Sequence, residues 1–270
     1  MTRFQTSFLR YLRQALLWPP RKLGLLPALE KVHFWQELIR RQKDNAVFTK
    51  EISAAMPPLW WVHDMYGHCL YRQYWNTGKA SAQKIDQILQ SANIAPNARI
   101  AEWGCGMGRI LRHMPEHYEC YGFDYNPEAI KWCISHLSGN WLVNDLMPPL
   151  AMEDEKLDAI FAISVFTHLS QEAHFAWVQE IFRVLKPGGI FIPSFHCQPG
   201  TGQLLPHEQA RFDAGNLVIR GGVKEGSRIY TAYHPRHFIE NDLLANFDSV
   251  QPPISAFGQT LYVMRKPETR

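Results

Sequence analysis

The chain has 270 residues, 46% hydrophobic and 20% charged, with a formal net charge of +3. That apolar content suffices for one catalytic domain plus an extension, and so small a net charge gives no reason to expect a nucleic-acid partner, since phosphate tracking needs a concentrated basic surface. Five cysteines without CxxC spacing suggest neither a zinc site nor a disulfide framework and fit a reducing, cytoplasmic setting, while no apolar run approaches the roughly 20 residues that span a bilayer or forms the core of a signal peptide.

Charge is unevenly distributed. Residues 1–50 carry ten Lys/Arg against three acids, a net of +7, leaving −4 for the rest. Phe4, Phe8, Tyr11, Leu12 and Ala15 fall on one helical face and Arg3, Arg10 and Arg13 on the other, until Trp18-Pro19-Pro20 ends the helix. A helix over residues 1–20 with this pattern suits packing on its own domain, or peripheral contact with an anionic membrane. Two further helices are predicted over residues 58–75 and 79–91, separated by a turn at Thr77-Gly78; the first is crowded with aromatics, among them Trp60, Trp61, Tyr66, Tyr71 and Tyr74.

The most informative run follows, at residues 99–110 (RIAEWGCGMGRI). A short strand delivers Glu102, and Gly104, Gly106 and Gly108 allow a tight turn against a bound molecule. A helix predicted to start near Gly108 would direct free N–H groups at the same place. The spacing Glu-x-Gly-x-Gly-x-Gly differs from a dinucleotide fingerprint, which wants glycine where Arg109 stands. A second strand (119–123) ends in Asp124, suited to the hydroxyls of a ribose, and a third (141–143) ends in Asn144-Asp145, suited to an adenine amino group. Ligands of open α/β sheets bind outside the carboxyl ends of the strands, so three acids there describe one nucleoside-shaped site.

With GCGMGRILRHM, YGFDYNPEAIKWC, NDLMPPL, LDAIFAISVFTHL and RVLKPGGIFIPS, the chain resembles class I S-adenosylmethionine-dependent methyltransferases from about residue 80 to 266, and most of all their small-molecule and glycan-associated branch. The resemblance implies an α/β, Rossmann-like, seven-stranded and mostly parallel sheet with one antiparallel edge strand and helices on both faces, preceded by an N-terminal helical extension. It divides the chain into an extension and lid (1–78) and the methyltransferase domain (79–270). S-adenosylmethionine is the implied donor, held by Glu102, Gly104, Cys105, Gly106, Gly108, Asp124, Tyr125, Asp145, Leu146 and Ser164, with Tyr74 and Gly78 in the lid; Arg72 suits either a surface position, the simpler reading, or the donor carboxylate. The implied acceptor is a sugar or nucleotide-sugar hydroxyl; a lipid-linked or aromatic natural product and a non-catalytic donor-binding protein are the alternatives.

Past a fifth strand (190–196), residues 197–233 form an insertion whose strand-like runs 216–220 and 228–233 flank a glycine-rich turn, read as a hairpin and, by resemblance, an acceptor cap. Residues 235–245 are predicted helical and 248–250 and 260–265 a closing strand pair. His168, following the fourth strand, is the first candidate for a general base, His234 the second and His196 the third. No metal is expected, because the segment after the fourth strand offers Ser164 and Thr167 where a hard cation wants carboxylates.

Overall fold

The structure, a computed structural model, describes residues 20, 23–200 and 202–268. The amphipathic helix expected over residues 1–20 lies outside these, apart from Pro20. A helix not anticipated from the sequence, α1 (Leu26–Glu51), comes first, with Pro27 in its first turn. Its Phe34 and Phe48 are buried, and Asn45 clamps it to the following chain, donating to the Cys69 carbonyl at 2.7 Å and accepting from the Tyr71 N–H at 2.9 Å.

The next break falls earlier than predicted. Helix α2 (Leu59–Tyr66) ends at Gly67, which takes a left-handed φ of 74°, whereas α3 (Tyr71–Ser91) runs unbroken through Thr77-Gly78. Left-handed glycine is an ordinary helix stop, and Gly78 has a different reason to be glycine. A Cβ there would lie 2.2 Å from the Arg109 carbonyl oxygen, so its absence lets α3 press against the loop after the first strand. The boundary expected at residues 78/79 therefore falls inside one helix.

Strands β1 (Arg99–Trp103), β2 (Glu119–Asp124), β3 (Asn140–Val143), β4 (Leu157–Ala162), β5 (Leu185–Phe195), β8 (Asp248–Ala256) and β9 (Gln259–Arg265) form one sheet in the order β3-β2-β1-β4-β5-β9-β8. The first five are parallel, and β9 runs antiparallel to both β5 and β8. The antiparallel strand is thus internal and β8 is the edge, which corrects the expected edge placement: β8 and β9 form a hairpin, and β9 is the arm that pairs with β5.

Alternate residues of each strand feed two cores. On one face Trp103, Phe123, Phe191 and Phe195 pack with Trp177 and Ile181 of α5 (Gln171–Val184) and with Phe238 and Ile239 of a π-helical stretch (Phe238–Leu243). On the other, Ile100, Phe161, Ile190 and Val263 meet Ile85 and Leu89 of α3 and Ile130 of α4 (Pro127–His136). Strand order reverses between β1 and β4, opening a crevice at their carboxyl ends. The insertion contains α6 (Pro206–Asp213) and the antiparallel pair β6 (Val218–Arg220) and β7 (Thr231–Tyr233), so the predicted hairpin is present with shorter strands. A buried ion pair, Glu208 to Arg220, joins α6 to β6.

Candidate active site

A cavity of about 590 Å³ opens at the reversal point. Gly104, Gly106, Asp124, Tyr125, Asp145, Leu146, Ser164 and His168 are on its wall; Tyr74, Gly78, Glu102, Cys105, Gly108 and His234 are not.

The glycine loop explains part of this division. Gly104 and Gly106 have φ of 80° and 52°, a region L side chains rarely enter, and the space a Cβ would need is already filled by protein. Val165 Cγ2 lies 2.3 Å from the ideal position at Gly104, and Tyr66 Oη 2.9 Å from that at Gly106. Gly108 lets the loop close on Leu137 and Trp141. No α-helix follows the loop. Pro115 limits it to a single 3-10 turn, Leu111–His113, so the expected helix N-terminus is absent.

Glu102 sits beneath the loop, 3% exposed, and accepts from the Leu111 backbone; burial pushes its carboxyl up to about 8 against the pull of Arg109, and Oε2 has no partner. Tyr74 is fully buried and donates to the Met107 carbonyl at 2.9 Å. It braces the loop from behind, and its helix neighbours Gln73 and Thr77 reach the cavity instead. Arg72 pairs with Glu51 at the surface, away from the cavity.

At the end of β2, Asp124 Oδ2 accepts from the Gly106 N–H at 2.8 Å and Oδ1 from the Asn126 N–H at 2.9 Å. Burial raises its pKa and these two bonds oppose the shift. Each oxygen keeps a lone pair for a further donor. At the end of β3, Asn144 donates to the Asp145 carbonyl while its Oδ1 is buried without a partner at the cavity wall. A ligand with a ribose and an exocyclic amine satisfies both acceptors, so these residues fit an adenosine.

The far wall is polar in a different way. Ser164, just after β4, holds an unusual φ of 62° and accepts from Gln259 Nε2 at 2.7 Å; its N–H donates to Ser194 Oγ at 2.8 Å. Ser194 Oγ donates to Gln259 Oε1 at 2.6 Å, closing the network. His168 Nδ1 lies 2.6 Å from the Tyr230 carbonyl. A carbonyl can only accept, so Nδ1 carries the proton and Nε2 is the lone-pair nitrogen; burial pushes the ring down to about 4. His234 does not reach the cavity. It is fully buried, and its Nε2 lies 2.8 Å from His174 Nε2, whose Nδ1 in turn meets the Ser170 carbonyl at 2.6 Å. Four aromatic rings, Phe166, Phe195, His174 and His234, pack together in this part of the core, which makes His234 a core histidine in this arrangement. His196 does reach the wall, 3.5 Å from Gln259 Nε2.

The insertion closes the cavity through Gly226, Ser227 and Arg228. The Gly226 N–H donates to the His168 carbonyl at 2.9 Å, Glu225 accepts from the Ser170 N–H at 2.6 Å, and a Cβ on Gly226 would press on Leu146 and Tyr125 at 3.2 Å. Gln259 and Arg228 carry no motif in the sequence, and Arg109, though inside the glycine motif, gives no sign there of facing the cavity, because only folding brings β9, the glycine loop and the insertion to one wall.

A methyltransferase-domain family model matches residues 101–192, the segment that contains most of β1, all of β2 to β4, most of β5, and the acids above. The matched segment is a methyltransferase domain, and the sheet around it has the class I S-adenosylmethionine-dependent methyltransferase fold. The chain is 31% identical over 128 residues to the sterol 24-C-methyltransferase erg6 of Schizosaccharomyces pombe, covering 42% of this chain and 33% of that protein. It is 25% identical over 215 residues to the tRNA N(3)-methylcytidine methyltransferase trm140 of the same organism, covering 72% and 66%. The chain therefore spans between a third and two-thirds of these relatives. Among solved structures, Streptomyces venezuelae DesVI superimposes with a TM-score of 0.51 at 17% identity, over 70% of this chain and 92% of that one, which shows the shared fold. S-adenosylmethionine is the cofactor of this domain class, and the adenosine-shaped acceptor set agrees with it.

One metal-capable group occurs among the described residues, Glu30, His33 and His63, with ligand atoms within 4.8 Å of one another. Its members are engaged with protein partners, His33 with His63 at 3.0 Å and Glu30 with Arg228.

Proposed function

We propose that this methyltransferase domain transfers a methyl group from S-adenosylmethionine to a hydroxyl oxygen of a small-molecule or glycan acceptor, a sugar or nucleotide sugar being the first candidate. The observation that carries the reading is that the adenosine-fitting acids and His168 share one cavity on opposite sides of the β1/β4 crevice. The cofactor supplies a methyl group already activated on a sulfonium. Asp124 holds the ribose, Asn144 and Asp145 the adenine edge, and Arg109, whose Nε is buried without a partner at the wall, the carboxylate.

Transfer then asks for an acceptor atom held close and in line. His168 accepts the hydroxyl proton at Nε2 while the Tyr230 carbonyl fixes its ring. A ring titrating near 4 is a weak base, so proton loss accompanies methyl transfer rather than preceding it. The segment 197–233 acts as the acceptor cap.

Calorimetry with S-adenosylmethionine and S-adenosylhomocysteine, followed by turnover against a panel of sugars and nucleotide sugars, tests the reading. Binding of NAD instead of both ligands overturns it, and binding without turnover of any acceptor class favours a non-catalytic donor-binding role. A lipid-linked or aromatic acceptor is the second reading, favoured by Tyr66, Trp103, Trp177 and Phe257 on the cavity wall and by a relative named for a sterol substrate. Quinones and sterols belong in the same panel. Because another relative is named for a tRNA substrate, the expectation against a nucleic-acid acceptor rests on charge alone.

A further inference from the structure

Helix α1 is apolar on two opposite faces. One is the packed face described above, with Leu26, Phe34 and Phe48 buried. The other begins at Leu25, the residue preceding the helix, and continues with Leu29, Val32, Trp35 and Ile39 at steps of three and four residues, which stacks them in one stripe. They are 49%, 47%, 55%, 61% and 75% exposed. Isolated apolar side chains on a surface are ordinary, whereas a contiguous ridge of five marks a surface that something covers.

The charge around the ridge says what. Lys31 borders it on one side and Arg40 on the other, with Lys43 a turn beyond Ile39; all three are exposed. The acids of this helix are turned elsewhere, Glu30 to Arg228, Glu37 to Arg40 and Arg41, Asp44 to Arg41, and Glu51 to Arg72. Long basic side chains flanking an apolar stripe reach phosphates while the stripe sinks among acyl chains. A second copy of this basic region would instead set like charge against like.

We propose that the exposed face of α1 docks on an anionic lipid bilayer, lying flat in its interface. No described helix is long and apolar enough to cross a membrane, so attachment is peripheral. The helix is also tied to the cavity wall through the Glu30–Arg228 pair. This inference is independent of which acceptor the enzyme takes.

Co-sedimentation of the full chain with vesicles tests it, using phosphatidylglycerol with phosphatidylcholine against phosphatidylcholine alone. The full chain should pellet with the anionic vesicles at low salt and be largely released at high salt. The double variant Val32→Glu/Ile39→Glu, which alters only exposed positions, should pellet at least fivefold less while its helicity and its affinity for S-adenosylhomocysteine stay unchanged. Failure of the full chain to bind anionic vesicles at low salt overturns the proposal, as does undiminished binding by the variant, which would place attachment in residues 1–22. A wild-type dimer in sedimentation equilibrium that the variant abolishes also overturns it, assigning the ridge to a second copy.

Discussion

Asp124 holds the glycine loop and faces the ligand with the same carboxylate. Its replacement by alanine removes a charged acceptor and frees the Gly106 N–H, so affinity for S-adenosylhomocysteine should fall about 10- to 100-fold by calorimetry, the equivalent of about 1.5–3 kcal/mol for a charged hydrogen bond. Arg109 permits a sharper test. Arg109→Gln should weaken S-adenosylhomocysteine at least fivefold yet leave 5′-methylthioadenosine, which lacks the amino-acid carboxylate, unaffected; equal losses for both would remove the carboxylate assignment. For His168, alanine should slow single-turnover methyl transfer at least tenfold with donor affinity kept. Because its folded pKa lies near 4 rather than 6.5, the wild-type rate should be flat from pH 8 down to 5, and an acid limb centred near 6.5 would move the role to another group.

At the scale of elements, two opposing effects meet at Gly78. Alanine in a helix interior ordinarily gains about 1 kcal/mol over glycine, but here its Cβ would lie 2.2 Å from a backbone carbonyl that cannot swing away. Overpacking of this kind costs about 1–3 kcal/mol or more, so Gly78→Ala should be net destabilising in urea titration and should weaken donor binding by shifting the loop. Control substitutions at exposed positions of α3 should do neither. Within the insertion, Glu208 and Arg220 are each 6% exposed. Truncating Glu208 to alanine removes the carboxylate partner of a buried guanidinium, a change that costs about 3–5 kcal/mol in comparable pairs. Hydrogen exchange should show faster opening across residues 203–233, while β1 to β4 retain their protection.

For the whole molecule, burial sets the direction of its pH dependence. His68, His113, His168 and His174 are pushed down to about 4 from 6.5, and His234 well below 6.5, all mainly by burial. Between about 6.5 and 4 the unfolded chain binds more protons at these sites than the folded one, so their stabilisation is complete above 6.5 and is lost as pH falls. Glu102 and Asp124 have raised values and act oppositely; the Glu102 contribution is complete below 4.5 and lost as pH rises through about 8. Burial also lowers His63 and His196 and raises Asp64, so seven histidines outnumber three carboxyls below 6.5, and Glu102 acts alone among these groups between 6.5 and 8. Thermal unfolding without ligand should therefore give a Tm that drops steeply from pH 6.5 to 4.5 and declines gently from 6.5 to 8. A Tm that stays level down to pH 4.5 would show that the histidines titrate normally.

Much of this was legible in the chain itself, because it depends on local chemistry. Strand ends marked by Glu102, Asp124 and Asp145, the positive-φ turns at Gly104 and Gly106, and the hairpin in 197–233 are short-range patterns that one segment dictates regardless of its neighbours. Contacts distant in sequence were not legible. Whether Gly78 ends a helix or admits a carbonyl depends on Arg109; whether His234 faces a ligand or a core depends on His174; and Gln259 joins Ser164 only because β9 pairs with β5. The acids announced themselves at the ends of strands, yet Glu102 and Asp124, alike in sequence, part in the fold, one sealed beneath the loop and the other facing the cavity. Strand alternation decides which side of the sheet a residue takes, but the depth to which it is buried is decided by what packs above it, and that only the tertiary structure supplies.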